Sequence, residues 1–445
     1  MHEKRVNDLR ANAKKMRAWM RIPLILAVLF VLCLAAVAQE NTADSWYQEG
    51  LKLMGNDNYR DALIAFDKAI EIDPENASIW MGKGDVLVRM GDYNESLKIY
   101  ENALEMAEKT TKDNPHDARG WLVKGELFIR IFKNDEAINA YSRATELNPK
   151  YAEAWYLKGA ALNLKAGELS EQESVKTYEE AFTALNKAIE LDPGYGKAWN
   201  DKGYTLLSLA RFNGKNFNRY NESLEAFDRA IELISAEDSR QFSALAWEGK
   251  ALAFVGMSNM LNDMDRKDEA RERYEAAIKA CDRVIELDPD FTGQEARLLK
   301  AGILSELGRH NESLVAYDEA ISSVPADLVL LTATFMADKS SVLIKMGEYE
   351  EALTTINAAL KIDPTNPIAW KNKGEALNYT GRYEEAVSAY DKAVELSPEL
   401  GLLKASSWQG KGDALKASGR QVEAAAAFAR AKELVQPGLN KPNFR

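Results

Sequence analysis

The chain has 445 residues, 46% of them hydrophobic and 28% charged, and a formal net charge of −12. That is too apolar for intrinsic disorder and too acidic to favour a nucleic-acid partner. Two cysteines (Cys33, Cys281) and three histidines (His2, His116, His310) exclude a disulfide framework and a thiolate metal centre, and no metal or other cofactor is expected.

The N-terminal 38 residues read as an address. Met1–Arg21 carries seven basic residues against Glu3 and Asp8. Ile22–Ala38 follows without a charge and closes on Ala36-Val37-Ala38. A basic region, an apolar region and small residues before the cut make a secretory signal, while the long basic flank also suits a retained anchor. The segment 1–38 is therefore expected to be a signal peptide or an N-terminal membrane anchor. Either way the remainder is expected to be exported, secreted or held on the extracytoplasmic face of the cell membrane.

From Ala43 a period dominates. Eight of the nine tryptophans share one frame: Trp46, Trp80, Trp121, Trp155, Trp199, Trp247, Trp370 and Trp408. Two further units enter it at Arg297 and Met336. Each is followed one turn later by Gly, Ala or Ser, then by stretches such as DALIAFDKAIEIDP and EAVSAYDKAVELSP. With Trp as position 4, the first unit has Gly50 at 8, Tyr59 at 17, Ala62 at 20, Phe66 at 24, Ala69 at 27 and Pro74 at 32. Small residues let two helices approach, large ones fill between them, and the proline stops the second helix.

This pattern resembles the tetratricopeptide repeat, a helix–turn–helix unit of 34 residues. The resemblance implies an all-α fold, a right-handed α-solenoid of about ten stacked units over 43–437, with a short tail at 438–445. It also implies that position 5 of each first helix (helix A) faces a concave groove. There the first four units place Tyr47, Met81, Leu122 and Tyr156, an apolar lining suited to a peptide with apolar anchors. Later units place Asn200, Glu248, Lys371 and Gln409 there. The paired Lys and Asn that grip a C-terminal carboxylate in some family members are absent: position 9 carries Asp85, Glu126, Glu375 and Asp413.

Position 7 is Lys in nine of the ten units, from Lys83 to Lys411. One reading is a cationic ladder for an anionic ligand. The other is that each stem lies in the groove between units and each ammonium pairs with an acid of the second helix (helix B), such as Glu71 or Glu105.

The frame spacings are 34, 41, 34, 44, 48, 50, 39, 34 and 38, so the surplus gathers in units four to six. These insertions are expected between helices A and B, forming one raised patch. Candidate partner-binding residues there are Arg211, Phe212, Phe217 and Tyr220 of a basic-aromatic loop, and Met257, Met260 and Met264 at helical spacing, whose thioethers suit adaptable surfaces. The alternative is that these side chains are packed inside longer helices. Five N-x-S/T sites (Asn76, Asn94, Asn221, Asn311, Asn378) would be usable for glycosylation after export.

No Gly-rich phosphate loop, nucleophile elbow or His/Cys cluster appears, so no catalytic residue is expected. The expected function is an exported scaffold binding a protein or peptide partner, with membrane contact only through the N-terminal segment. A second reading is self-association through the last unit, where Phe428 and Leu434 lack a covering helix. A hidden hydrolase or transferase ranks last.

Overall fold

The computed structural model describes residues 42–212, 216–233, 240–290, 292–325, 328–397 and 401–435. The expected signal or anchor segment and the C-terminal tail lie outside the described residues. Among the described residues there are twenty α-helices and no strand, and no helix is long and apolar enough to cross a membrane.

The chain divides into two compact units, one ending at Lys165 and one beginning at Ala166. The first holds α1 (Ala43–Gly55), α2 (Tyr59–Ile72), α3 (Ala77–Arg89), α4 (Tyr93–Asp113), α5 (Ala118–Arg130) and α6 (Asn134–Leu147), with α7 (Ala152–Ala166) reaching the boundary. The second holds α8 (Glu171–Leu191), α9 (Gly196–Phe212), α10 (Phe217–Leu233), α11 (Arg240–Asp263), α12 (Lys267–Leu287), α13 (Thr292–Glu306) and α14 (His310–Ser323). It continues through α15 (Val329–Met346), α16 (Tyr349–Ile362), α17 (Pro367–Tyr379), α18 (Tyr383–Leu396), α19 (Gly401–Ala417) and α20 (Gln421–Val435). Within each unit, odd-numbered A helices pack on the next even-numbered B helix, and each B helix packs on the following A helix. A stack of helical hairpins is thus the architecture of both units.

The repeat pattern acts through three contacts. First, the aromatic ring at position 24 sits between two glycines, one in its own helix A and one in the next. Phe66 is fully buried between Gly50 and Gly82, and a methyl added at Gly82 would lie 2.6 Å from its Cε1. Phe227 is held in the same way by Gly203 and Gly249. Gly82→Ala is expected to destabilise the first unit by about 1–3 kcal/mol through overpacking. Denaturation of the purified chain checks this, and an unchanged midpoint would show that the ring can retreat.

Second, the indole closes the turn between repeats. Trp80, Trp121, Trp155, Trp199 and Trp370 each donate Nε1–H to the carbonyl of the proline six residues earlier, at 2.8–3.1 Å. Arg297, which replaces the tryptophan, donates from Nη1 to the Pro289 carbonyl at 2.8 Å. The frame therefore survives there by function of the donor rather than by residue type.

Third, the turn between helices A and B uses one left-handed residue. Gly347 fills it after α15 at φ +83°. Asp57 and Asp265 tolerate the same region, as short polar side chains can. Phe132 takes it at φ +60° while 87% exposed, so packing does not offset its backbone strain.

The insertions do not lie where the sequence pattern put them. They lengthen helices and leave the turns short. The hairpin of α11 and α12 has 24 and 21 residues, against 13 and 14 in that of α1 and α2, with only residues 264–266 between its helices. α8 likewise has 21 residues. An inserted stretch that keeps the 3.6-residue apolar period costs less as added helix turns than as loop, because helix satisfies its own backbone groups.

Candidate protein-interaction faces

The lysine ladder is consumed by packing. Lys83 pairs with Asp67 at 2.7 Å, Lys124 with Glu108 at 3.5 Å, Lys300 with Asp282 and Lys339 with Asp318 at 2.6 Å. Lys250 pairs with Asp228 and Lys411 with Asp391. Seven of the ladder lysines also lie over the tryptophan one turn before them, at 4.5–5.8 Å from the ring. The acids differ from the expected Glu71 and Glu105. Asp67 directly follows Phe66 on helix B, and in α4 the extra two turns bring Glu108 to the equivalent place.

Of the expected groove residues, Met81 and Leu122 are buried. Met81 packs with Tyr100, Ala103, Ala107 and Leu127, and Leu122 with Ala137, Tyr141 and Ala144. They belong to the core and are corrected as such: helix A turns position 5 toward the neighbouring B helix in these two repeats. Tyr47 and Tyr156 are half-buried. Tyr47 lies 5.9 Å from the Phe66 ring. Burial raises its pKa, with the charges of Glu126 and Asp85 adding to the effect.

Those charges were not foreseen as a site. Arg130 at the end of α5 reaches Asp85 on α3 through two hydrogen bonds, Nε to Oδ1 at 2.7 Å and Nη2 to Oδ2 at 2.9 Å. Tyr100 Oη donates to the same Asp85 Oδ1 at 2.6 Å. Burial opposes the Arg130 charge, but the Asp85 hydrogen bonds and charge hold it above its ordinary pKa. Glu126, one turn before Arg130, is pushed up to about 7 by burial; Arg130 pulls it down, Glu153 and Asp85 push it up. Asp85, Glu126 and Arg130 with Tyr47 form a polar face on the A helices of the first unit, and Tyr100 reaches it from α4. The sequence signal for this face lies in the acids at position 9, Asp85 and Glu126 among them.

In the second unit the raised patch shrinks. Tyr220 is buried, and Phe217 packs beside it against Leu207, Ala210, Met257 and Met260. Met257 is fully buried and Met260 is 6% exposed, so both are core residues of the lengthened hairpins. Phe212 reaches the surface but stacks on Tyr178 at 6.0 Å. Arg219 is held by Glu179 at 2.9 Å and lies over Phe182. Arg211, Phe212 and Met264 remain exposed. Asn76, Asn94, Asn221 and Asn311 are exposed, and Asn76 also caps α3 by accepting from Ser78 N–H at 3.2 Å. Phe428, expected to be uncovered, is half-buried in the core against Gly412.

A second polar face occupies α9, α11 and α13. Tyr204 Oη donates to the Leu245 carbonyl at 2.6 Å and also reaches Glu248. The pKa of Glu248 is raised, by burial first and then by the Glu295 charge. Cys281 is fully buried nearby, and burial pushes its thiol up to about 12, too high for a nucleophile at neutral pH.

Tetratricopeptide-repeat models match residues 43–76, 75–150, 133–196 and 338–400, and the indole and glycine contacts of these stretches recur beyond them, at Trp199, Phe227 and Arg297. This is a tetratricopeptide repeat protein. It is similar in part to the protein O-mannosyl-transferase TMTC1 of Homo sapiens, at 23% identity over 189 residues, 42% of this chain and 19% of that one. The Mus musculus protein of the same name is 30% identical over 108 residues, 24% of this chain and 11% of that one. The chain thus spans less than a fifth of the transferases it matches. Solved structures like it include yeast Tom70 (15% identity, 88% of this chain and 85% of that one, TM-score 0.41). YrrB, a TPR protein with an unusual peptide-binding site, has 22% identity over 49% of this chain and 96% of that one, with a TM-score of 0.29. MamA has 22% identity over 44% of this chain and 92% of that one, with a TM-score of 0.28.

Proposed function

We propose that this tetratricopeptide repeat protein is an exported scaffold that holds polypeptide partners against the helix-A faces of its two units. The observation that carries the proposal is the Asp85–Tyr100–Arg130 network with the half-buried Glu126 beside it. A helix-A face needed only for packing would carry apolar side chains there, since a desolvated ion pair contributes little stability over a hydrophobic replacement. Such groups suit a partner whose backbone and polar side chains must be recognised. Export is supported by the basic Met1–Arg21 and the apolar Ile22–Ala38. Transfer chemistry is not part of this reading, because the matched stretch is a small fraction of those transferases and falls mostly within the helical repeats.

A photo-crosslinking residue placed at Tyr47 tests the reading, with Ile64, 53% exposed on helix B, as the control position. Position 47 is expected to trap a polypeptide in the native envelope and position 64 is not. Equal trapping at both positions, or none, removes the helix-A face as the binding surface. Adducts only to a second copy of the chain replace the scaffold by self-assembly.

A further inference from the structure

One rung of the lysine ladder in the second unit lacks its acid. Lys83, Lys250, Lys300, Lys339 and Lys411 each reach an aspartate that directly follows the position-24 residue of the preceding B helix, as in Phe66-Asp67 and Phe227-Asp228. Before Lys202 of α9 that place is held by Asn186 of α8, after Leu185. Lys373 also meets an asparagine, but donates to Asn357 Oδ1 at 2.9 Å. Among the described residues, neither Lys202 nor Asn186 makes a side-chain hydrogen bond or ion pair. The Lys202 ammonium lies over Trp199 and Phe182, 4.9 and 5.5 Å from the ring centres. Rings attract its charge but offer no lone pair to its three N–H donors. Glu222 and Glu225 of α10 act on it from beyond ion-pair distance.

Around Lys202 runs a strip between the B helices α8 and α10. Arg219 of α10 lies over the same Phe182 ring at 5.2 Å and pairs with Glu179 of α8 at 2.9 Å, so its charge is answered within the chain. One turn before Phe182, Tyr178 stacks on Phe212, and the adjoining Arg211 is exposed and forms no ion pair among the described residues. Lys202, Phe182 and Tyr178 are half-buried, so each keeps part of its surface in solvent. In the first unit Ser142 stands in the place of the aspartate before Lys158, whose ammonium lies over Trp155. The second ring and the flanking arginine belong to Lys202.

We propose that Lys202 receives the carboxylate of an aspartate or glutamate on a polypeptide partner that lies across Phe182 between α8 and α10. The molecule supplies its own template, since at Lys83, Lys300 and Lys339 an aspartate carboxylate stands 2.6–2.7 Å from the ladder ammonium. The partner's carboxylate completes the same pair at Lys202. Apolar side chains beside it cover Phe182 and the Tyr178–Phe212 stack, which a small anion would leave in water. This surface is on the helix-B side, so it goes beyond the helix-A faces and does not depend on them.

Arrayed decapeptides with varied flanks and Asp, Glu, Asn or Gln at the centre are probed with the full chain and with three substituted chains. The expected result is a preference of about tenfold for Asp and Glu over their amides, the scale of one charge-assisted contact. Asn186→Asp supplies the ladder carboxylate from within and is expected to abolish the preference, as is Lys202→Gln. Asn357→Asp, the same change beside Lys373, is expected to leave it intact. Asn186→Asp copies the residue of five sister repeats, so the fold is expected to persist, with an undiminished thermal midpoint as the check. Capture without an acidic preference, or a preference that survives Asn186→Asp or Lys202→Gln, overturns the inference. No capture of any peptide overturns it as well, while the helix-A reading is decided separately by the crosslink at Tyr47.

Discussion

Asp85→Ala is expected to destabilise the first unit by about 3–5 kcal/mol, the cost of stranding a partly buried cation. The side chains of Asp85 and Arg130 are 28% and 26% exposed, and removing the carboxylate takes both Arg130 hydrogen bonds and the acceptor of Tyr100 Oη at once. The paired change Asp85→Leu with Arg130→Leu is expected to cost far less, because no charge is left alone and apolar packing replaces the pair. Amide hydrogen exchange across α3–α5 is the suitable measurement, since a stack of repeats need not unfold in a single step. If Asp85→Ala lost no more than about 1 kcal/mol, the pair would be behaving as a solvated surface bridge, and its cost would no longer argue for a recognition surface.

The second large effect is on the pH dependence of stability. Burial raises Glu126 from 4.5 to about 7 and Asp338 from 3.8 to about 6, and raises Glu248 as well. A raised acid binds its proton more tightly in the folded chain than in the unfolded one. Its contribution is therefore complete below the unfolded value and disappears as pH climbs through the folded value. Between about pH 4.5 and pH 7 the protein is expected to lose stability, by up to about 3 kcal/mol for a group such as Glu126. Glu269, Glu312, Glu385 and Glu423 act in the opposite sense: hydrogen bonds from Arg266, Arg309, Arg382 and Arg420 lower them, so their stabilisation falls away as the solution becomes more acid than their unfolded values. All four are fully exposed, so their contribution is screened. Thermal midpoints are expected to peak near pH 5, and Glu126→Gln with Asp338→Asn should raise the midpoint at pH 8 and flatten the profile. A midpoint that rises steadily from pH 5 to pH 8 would contradict the assigned burial. Because general charge repulsion also grows over this range in an acidic chain, the response of the substituted protein is the decisive part.

Much of the fold was legible because its signals are local and repeated. The small residue at position 8, the bulky residue at position 24 and the closing proline each answer one steric demand, and their recurrence from unit to unit leaves little freedom. Even the degenerate unit at Arg297 keeps the frame, since the guanidinium donates where the indole would. The recognition surfaces were less legible. Met81, Leu122, Tyr220, Met257 and Met260 are apolar residues that could serve a groove or a core, and the choice depends on which neighbour helix the side chain meets. The same ambiguity hid the acids: Asp85 and Arg130 are 45 residues apart, and only the stacking of α3 on α5 makes them a pair.

By itself the sequence determined a row of helical hairpins, because helix period, proline stops and small-residue contacts act within about one repeat. The tertiary structure decided the rest. It turned the surplus residues into longer helices, matched six of the ladder lysines to an acid of the preceding helix, and gathered Asp85 with Arg130. The physical reason is that charge pairing and burial depend on distance in space, and residues a full repeat or more apart become neighbours only when the hairpins are stacked.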